Sequence, residues 1–205
     1  MRASIYTRPN KPLTIEVRQR KRGSELLPRI AAGLQSISDQ APLAVDSATE
    51  CHVTPEAQAV ALCEYSSFDR YESIDLLEPS AGTGKIVTAA QNYFPNARFM
   101  AVERHYRLFE RLSDLFCDQS IRLVNGCFLE ASNSLLASFD LVLMNPPFKN
   151  VRKHIEAAIS CLKSGGELVA IVPVTFDHPE AETLEVLGAV FANTNVITKI
   201  IKVCK

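Results

Sequence analysis

Ile74-Asp75-Leu76-Leu77-Glu78-Pro79-Ser80-Ala81-Gly82-Thr83-Gly84 decides the fold of this chain. Its first four residues read as a short buried strand. The strand runs into Pro79 and then into a loop whose two glycines permit a tight turn and close backbone approach to a ligand. A helix over about 84–93 follows. Strand, glycine loop and helix in that order describe a nucleotide-cofactor loop. Two better-known versions fail on the residues. A phosphate-binding loop needs Gly where Pro79 stands and Ser or Thr where Ile86 stands. A dinucleotide fingerprint needs a third Gly, and Val87 occupies that place.

Outward from this loop, strands and helices alternate. Thr54 is placed to cap a helix with Pro55 at its first position and Ala57, Val60, Ala61 and Leu62 along it. Downstream the pattern predicts a strand at 98–103, a helix at 105–117, a strand at 121–124, a loop-rich or helical stretch at 128–137 and a strand at 139–144. A helix at 150–163 is expected to stop at Gly165-Gly166. A strand at 167–173, a helix at 180–192 and a strand at 196–203 complete the pattern. Repeated βα units predict an α/β, Rossmann-like fold with a mostly parallel sheet and helices on both faces. The first 50 residues form a separate part. Residues 1–22 hold seven Lys and Arg against Glu16 alone, which suits either a phosphate-contacting arm or a solvated terminus. Within them 13–17 alternates like a short strand. A helix capped by Ser24 is expected over 24–37, and 38–50 reads as a linker. The predicted division is an N-terminal arm and helix over 1–50 and a catalytic domain over 51–205.

Two further features mark a site. The strand Phe99-Met100-Ala101-Val102 ends in Glu103, where a carboxylate can accept both ribose hydroxyls of a bound nucleoside. The alternative is pairing with Arg104 or Arg107. The apolar run 139–144 leads directly into Asn145-Pro146-Pro147-Phe148. A polar side chain, two rigid prolines and an aromatic ring are thereby set at the carboxyl end of a strand, where open α/β sheets place ligands. Alone, the tetrapeptide also reads as a strand-ending turn.

In this order, the glycine loop, Glu103 and Asn145-Pro146-Pro147-Phe148 resemble the N6-adenine-type methyltransferases that use S-adenosylmethionine (SAM). The sequence from Leu77 to Gly84 is especially similar to DNA-modifying members. The resemblance implies a cofactor site built from Thr54, Glu78, Pro79, Ser80, Ala81, Gly82, Gly84, Glu103, Cys127, Phe128 and Asn145. Thr54-Pro55 would begin a helix beside the methionine end of SAM. Cys127 stands where the family usually has an Asp that holds the adenine amine, leaving that contact to Asn125 or to a backbone group. Phe128 would pack on the adenine ring, or serve as a core aromatic. The resemblance implies catalysis by Asn145, Pro146, Pro147 and Phe148, with no metal. The implied substrate is adenine in DNA, met with low sequence selectivity because no separate recognition domain is expected. RNA adenine or guanine amines, a protein glutamine, and a non-catalytic nucleic-acid binder are the alternatives. Glutamine-modifying relatives usually carry Tyr where Phe148 stands. Lys149, Asn150, Arg152 and Lys153 suit phosphate contacts or a solvated helix start, and His154 a structural or exposed place.

Composition narrows the remainder. Net charge is −1, so overall charge announces no nucleic-acid partner. The six cysteines form no C-x-x-C pair, which argues against zinc or a redox motif. Scattered thiols suit a reducing cytoplasm. No apolar run is long enough to span a membrane, and the first residues lack a signal peptide's apolar segment.

Overall fold

The structure is a computed structural model that describes residues 52–117, 119–191 and 195–205. The expected arm, strand, helix and linker of residues 1–50 lie outside these. The strands are β1 (Asp75–Glu78), β2 (Arg98–Glu103), β3 (Ile121–Asn125), β4 (Phe139–Met144), β5 (Leu162–Pro173), β6 (Ala181–Gly188) and β7 (Thr198–Cys204). The helices are α1 (Glu56–Glu64), α2 (Lys85–Tyr93), α3 (Tyr106–Leu115), α4 (Phe128–Ala131) and α5 (Val151–Cys161). Among the described residues, the seven strands join one sheet in the order β3-β2-β1-β4-β5-β7-β6. Strands β1 to β5 pair in parallel, and β7 runs antiparallel to both β5 and β6. The Rossmann-like expectation therefore holds.

Strand order reverses between β1 and β4. Chains leaving those two strands diverge to opposite sides and open a crevice at their carboxyl ends. The glycine loop follows β1 and Asn145-Pro146-Pro147-Phe148 follows β4, so the fold itself brings the two motifs together. Strand residues alternate between faces. Leu76, Leu141, Leu143 and Ile171 pack against α1 and α2, whereas Leu77, Val142, Met144 and Val172 pack against α5. Burial on both faces explains the continuous apolar runs in the sequence.

Three expectations need correction. The helix expected at 180–192 is strand β6 on the sheet edge. Leu184 and Leu187 are the extra residues at two register irregularities against β7, and both pack on the same core cluster. The bulges place residues three apart on one face, a spacing otherwise typical of a helix. Helix α5 ends at Cys161 rather than at the glycine pair, and β5 begins at Leu162. Gly165-Gly166 is instead a close crossing: a side-chain carbon on Gly166 would meet the Asp140 carbonyl oxygen at 3.0 Å. Thr54 does not cap α1; Pro55 holds that position without a side-chain cap.

Candidate functional site

The glycine loop is folded by local hydrogen bonds. Gly84 N–H donates to the Ala81 carbonyl at 2.8 Å, and Ala81 N–H donates to the Val102 carbonyl of β2 at 3.0 Å. Gly82 and Gly84 have φ of 54° and 81°. At Gly84 a side chain is excluded twice, by φ and by space: a Cβ would lie 2.8 Å from Leu112 Cδ2. Gly84 thus serves the contact with α3, while Pro79, Ser80, Ala81 and Gly82 line a cavity of about 510 Å³.

Glu103 stitches this loop to the next. It is 7% exposed, its Oε2 accepts from Gly82 N–H at 2.7 Å and its Oε1 accepts from His105 N–H at 2.6 Å. These bonds come from backbone donors rather than from the Arg104 or Arg107 side chains. Burial raises its pKa, and the backbone donors oppose the rise. Glu78 sits outside the cavity wall and is 1% exposed. Its Oε1 accepts from Ser80 N–H at 2.9 Å, and its Oε2 is buried with no partner. Burial, reinforced by the Glu103 charge, pushes its pKa up to about 8.

Beyond β3, Cys127 caps the short helix α4 with its carbonyl, and its side chain is half-buried in the cavity wall. Asn125 is exposed, and its Nδ2 donates to the Glu103 carbonyl at 2.9 Å. Its amide therefore closes β3 onto β2 and does not line the cavity. Phe128 is both a core aromatic, 2% exposed, and part of the wall.

His154 shares that wall, its ring centroid 5.9 Å from Phe128. It is buried, its pKa is lowered by that burial, and its Nδ1 has no partner. The sequence signal for this placement was the stripe Val151, His154, Ile155, Ala158, in which a histidine occupies a core-facing turn of α5. Lys85, Arg104 and His105 also line the cavity and were not anticipated. They stand beside motif residues and carry no periodic signal of their own.

On the other wall, Asn145 and Pro147 face the same cavity, while Pro146 is buried behind them. Asn145 Nδ2 donates to the His52 carbonyl and to Thr54 Oγ1, both at 3.1 Å. Asn145 Oδ1 is buried without a partner. Phe148 opens a short 3₁₀ turn and lies outside the cavity wall. The His52 ring stacks on it at 4.8 Å with an interplanar angle of 28°, and Phe191 meets it edge-on at 5.9 Å.

The sequence profile of the methyltransferase small domain family matches residues 64–203. The chain belongs to that family. Its cofactor is SAM. The residues present suit that molecule: an acid at the end of β2 and a buried aromatic at the start of α4 both stand in the cavity wall beside the glycine loop. A curated relative, the modification methylase CviBIII of Paramecium bursaria Chlorella virus NC1A, is 27% identical over 130 residues. The match covers 54% of this chain and 34% of the relative, so the chain spans about a third of that methylase's length. Among solved structures, a SAM-dependent O-methyltransferase of Thermotoga maritima aligns with TM-score 0.61 at 11% identity, covering 88% of this chain and 72% of that one. Aeropyrum pernix fibrillarin, with natively bound SAM, aligns with TM-score 0.55 at 17% identity, covering 72% and 74%. At such identities the likeness is one of fold. Among the described residues, no helix is long and apolar enough to cross a membrane.

Proposed function

We propose that this methyltransferase transfers the methyl group of SAM to the exocyclic N6 amine of adenine in DNA, with residues 51–205 as the catalytic unit. The observation that carries the reading is the Asn145 side chain. Its amide is tethered through nitrogen, and its oxygen is left buried with no hydrogen bond beside the cofactor cavity. A buried acceptor without a partner costs about 1–3 kcal/mol, and a substrate N–H would relieve that cost. The choice of DNA is supported by the similarity to a modification methylase.

SAM supplies an electrophilic methyl group on a sulfonium. The chain's part is binding and aim. Glu103 would hold the ribose hydroxyls, the Pro79–Gly82 backbone would line the cofactor's path, and Phe128 and Cys127 would stand on the side of its adenine. The target amine is a poor nucleophile because its lone pair is delocalised into the base. Asn145 Oδ1 and the Pro146 carbonyl accept its two N–H hydrogens, which biases the nitrogen toward pyramidal geometry with the lone pair free. The remainder is positioning for in-line displacement. No strong base is needed beforehand, because the departing proton becomes acidic as the bond forms. Pro147 fixes the turn, and Phe148 offers a face for the extruded base, since a base within a duplex must leave the stack. One face of the Phe148 ring carries His52 in this structure.

The same acceptor pair would serve an amine in RNA or a protein glutamine amide. Incubation of the protein with SAM labelled in the methyl group and separate DNA, RNA and protein pools distinguishes these. Label in DNA supports the proposal. Label confined to RNA or to protein overturns the substrate assignment and leaves the chemistry of Asn145 intact.

A further inference from the structure

We infer that Thr54 is a positioning residue for the methyl-transfer step, acting by holding the Asn145 amide in the place and orientation that the His52 carbonyl selects. The inference rests on the role given above to Asn145. Residues 52–54 lie ahead of the stretch matched by the family profile, which starts at residue 64. They are nevertheless joined to the loop after β4. Thr54 is 6% exposed, and its side chain leaves α1 uncapped to meet an amide 91 positions further along the chain.

An asparagine amide has two orientations related by a half-turn, and only one presents oxygen to a substrate N–H. The His52 carbonyl selects it, and the Thr54 hydroxyl holds the amide there. The His52 carbonyl has no hydrogen to give, so it tolerates only the NH₂ group at 3.1 Å. The Thr54 hydroxyl takes the other Nδ2 hydrogen at the same distance. The reversed amide would set Oδ1 against the carbonyl oxygen and leave a buried NH₂ where the acceptor belongs. The His52 ring meanwhile stacks on Phe148. One short segment therefore grips both ends of the Asn145–Phe148 loop.

The test uses Thr54→Val, which keeps the shape and removes the hydroxyl, together with Thr54→Ser, Thr54→Ala and Asn145→Ala. Each variant is checked for its melting temperature and for SAM affinity by calorimetry. Single-turnover transfer from tritiated SAM is then measured on whichever of the DNA, RNA and protein pools the wild type labels. Losing one hydrogen bond that counts only toward transfer predicts a rate about tenfold lower in Thr54→Val. SAM affinity should stay close to wild type, and Thr54→Ser should recover most of the rate. Thr54→Ala should behave like Thr54→Val, which covers the case that valine disturbs folding. Adding Thr54→Val to Asn145→Ala should cost nothing more.

A Thr54→Val enzyme with wild-type rate beside an inactive Asn145→Ala enzyme overturns this inference alone. So does a fall in SAM affinity that accounts for the whole loss of rate, since Thr54 would then be a cofactor contact. An active Asn145→Ala enzyme, or a wild type that labels no pool, overturns the reading of the site and this inference with it.

Discussion

Replacing Glu78 by Gln should make the protein more stable and its cofactor site worse. Glu78 ends β1 with 1% exposure; Ser80 N–H holds one carboxylate oxygen, and the other has no partner. Its pKa in the folded chain is about 8, against an ordinary value of 4.5. Between those values the folded chain holds a proton that the unfolded chain releases, so stability falls as pH rises through the window. The loss is absent below the ordinary value and complete once pH passes the folded one. One proton is worth at most about 1.4 kcal/mol per pH unit, so raising the pH from 5 to 8 costs on the order of a few kcal/mol. Gln keeps an oxygen for Ser80 N–H and carries no charge, so it escapes this slope. For a chain of this size the gap corresponds to roughly 5–10 °C in melting temperature. Thermal unfolding of both proteins from pH 5 to 9 measures it directly; Asp75, present in both, cancels, whereas Glu103 is coupled to Glu78 by charge and its part in the difference belongs to that pair. The Gln variant should pull ahead with rising pH and level off beyond 8. Parallel curves would refute the reasoning. A cation bound in the cavity lined by the neighbouring Pro79 and Ser80 would also lower the Glu78 pKa through space. SAM binding should then release a proton below about pH 8 in the wild type, seen by calorimetry in buffers of different ionisation heat. The Gln variant should release none and bind SAM more weakly.

Three other substitutions probe the frame around the site. Glu103→Ala should weaken SAM binding by about 1–3 kcal/mol in calorimetry, because a charged acceptor is lost and the Gly82 and His105 N–H groups lose their partner. Gly84→Ala should destabilise the fold by about 1–3 kcal/mol in urea unfolding, since φ is +81° and the new carbon lies 2.8 Å from Leu112. Asp75 bonds Arg98 at 2.7 Å and Lys163 at 2.8 Å, and its pKa is lowered chiefly by the Arg98 hydrogen bond. Asp75→Asn should cost about 1 kcal/mol or less at neutral pH, because Arg98 is well exposed, and nothing at a pH where the wild-type carboxyl is protonated.

What the sequence made legible was local. A strand buried on both faces is a short run of apolar residues, and a loop that needs positive φ or a fixed turn shows Gly or Pro. Ile74–Gly84 and Phe139–Phe148 carry both signals, so the mostly parallel core and the placing of both motifs at strand ends could be read without coordinates. What escaped was set by distant contacts. Leu184 and Leu187 have helical spacing, and only pairing with β7 turns it into two bulges. Thr54 has every local mark of a helix cap, and its partner lies on another loop. His154 counts as polar in a sequence, yet one turn of α5 inserts it beside Phe128. The aromatic at position 148 is plain in the sequence, but not the His52 imidazole that stacks on it or its packing against Phe191.

The central claim is that Asn145 presents an acceptor to the N6 amine of adenine in DNA. Its most direct test is mass analysis of nucleosides from DNA treated with the protein and SAM bearing a deuterated methyl group. The wild type should yield N6-(trideuteromethyl)deoxyadenosine, and an Asn145→Ala protein of equal SAM affinity should yield almost none. No deuterated N6-methyladenine in any DNA from a folded, SAM-binding wild type, or equal amounts from both proteins, would contradict the account.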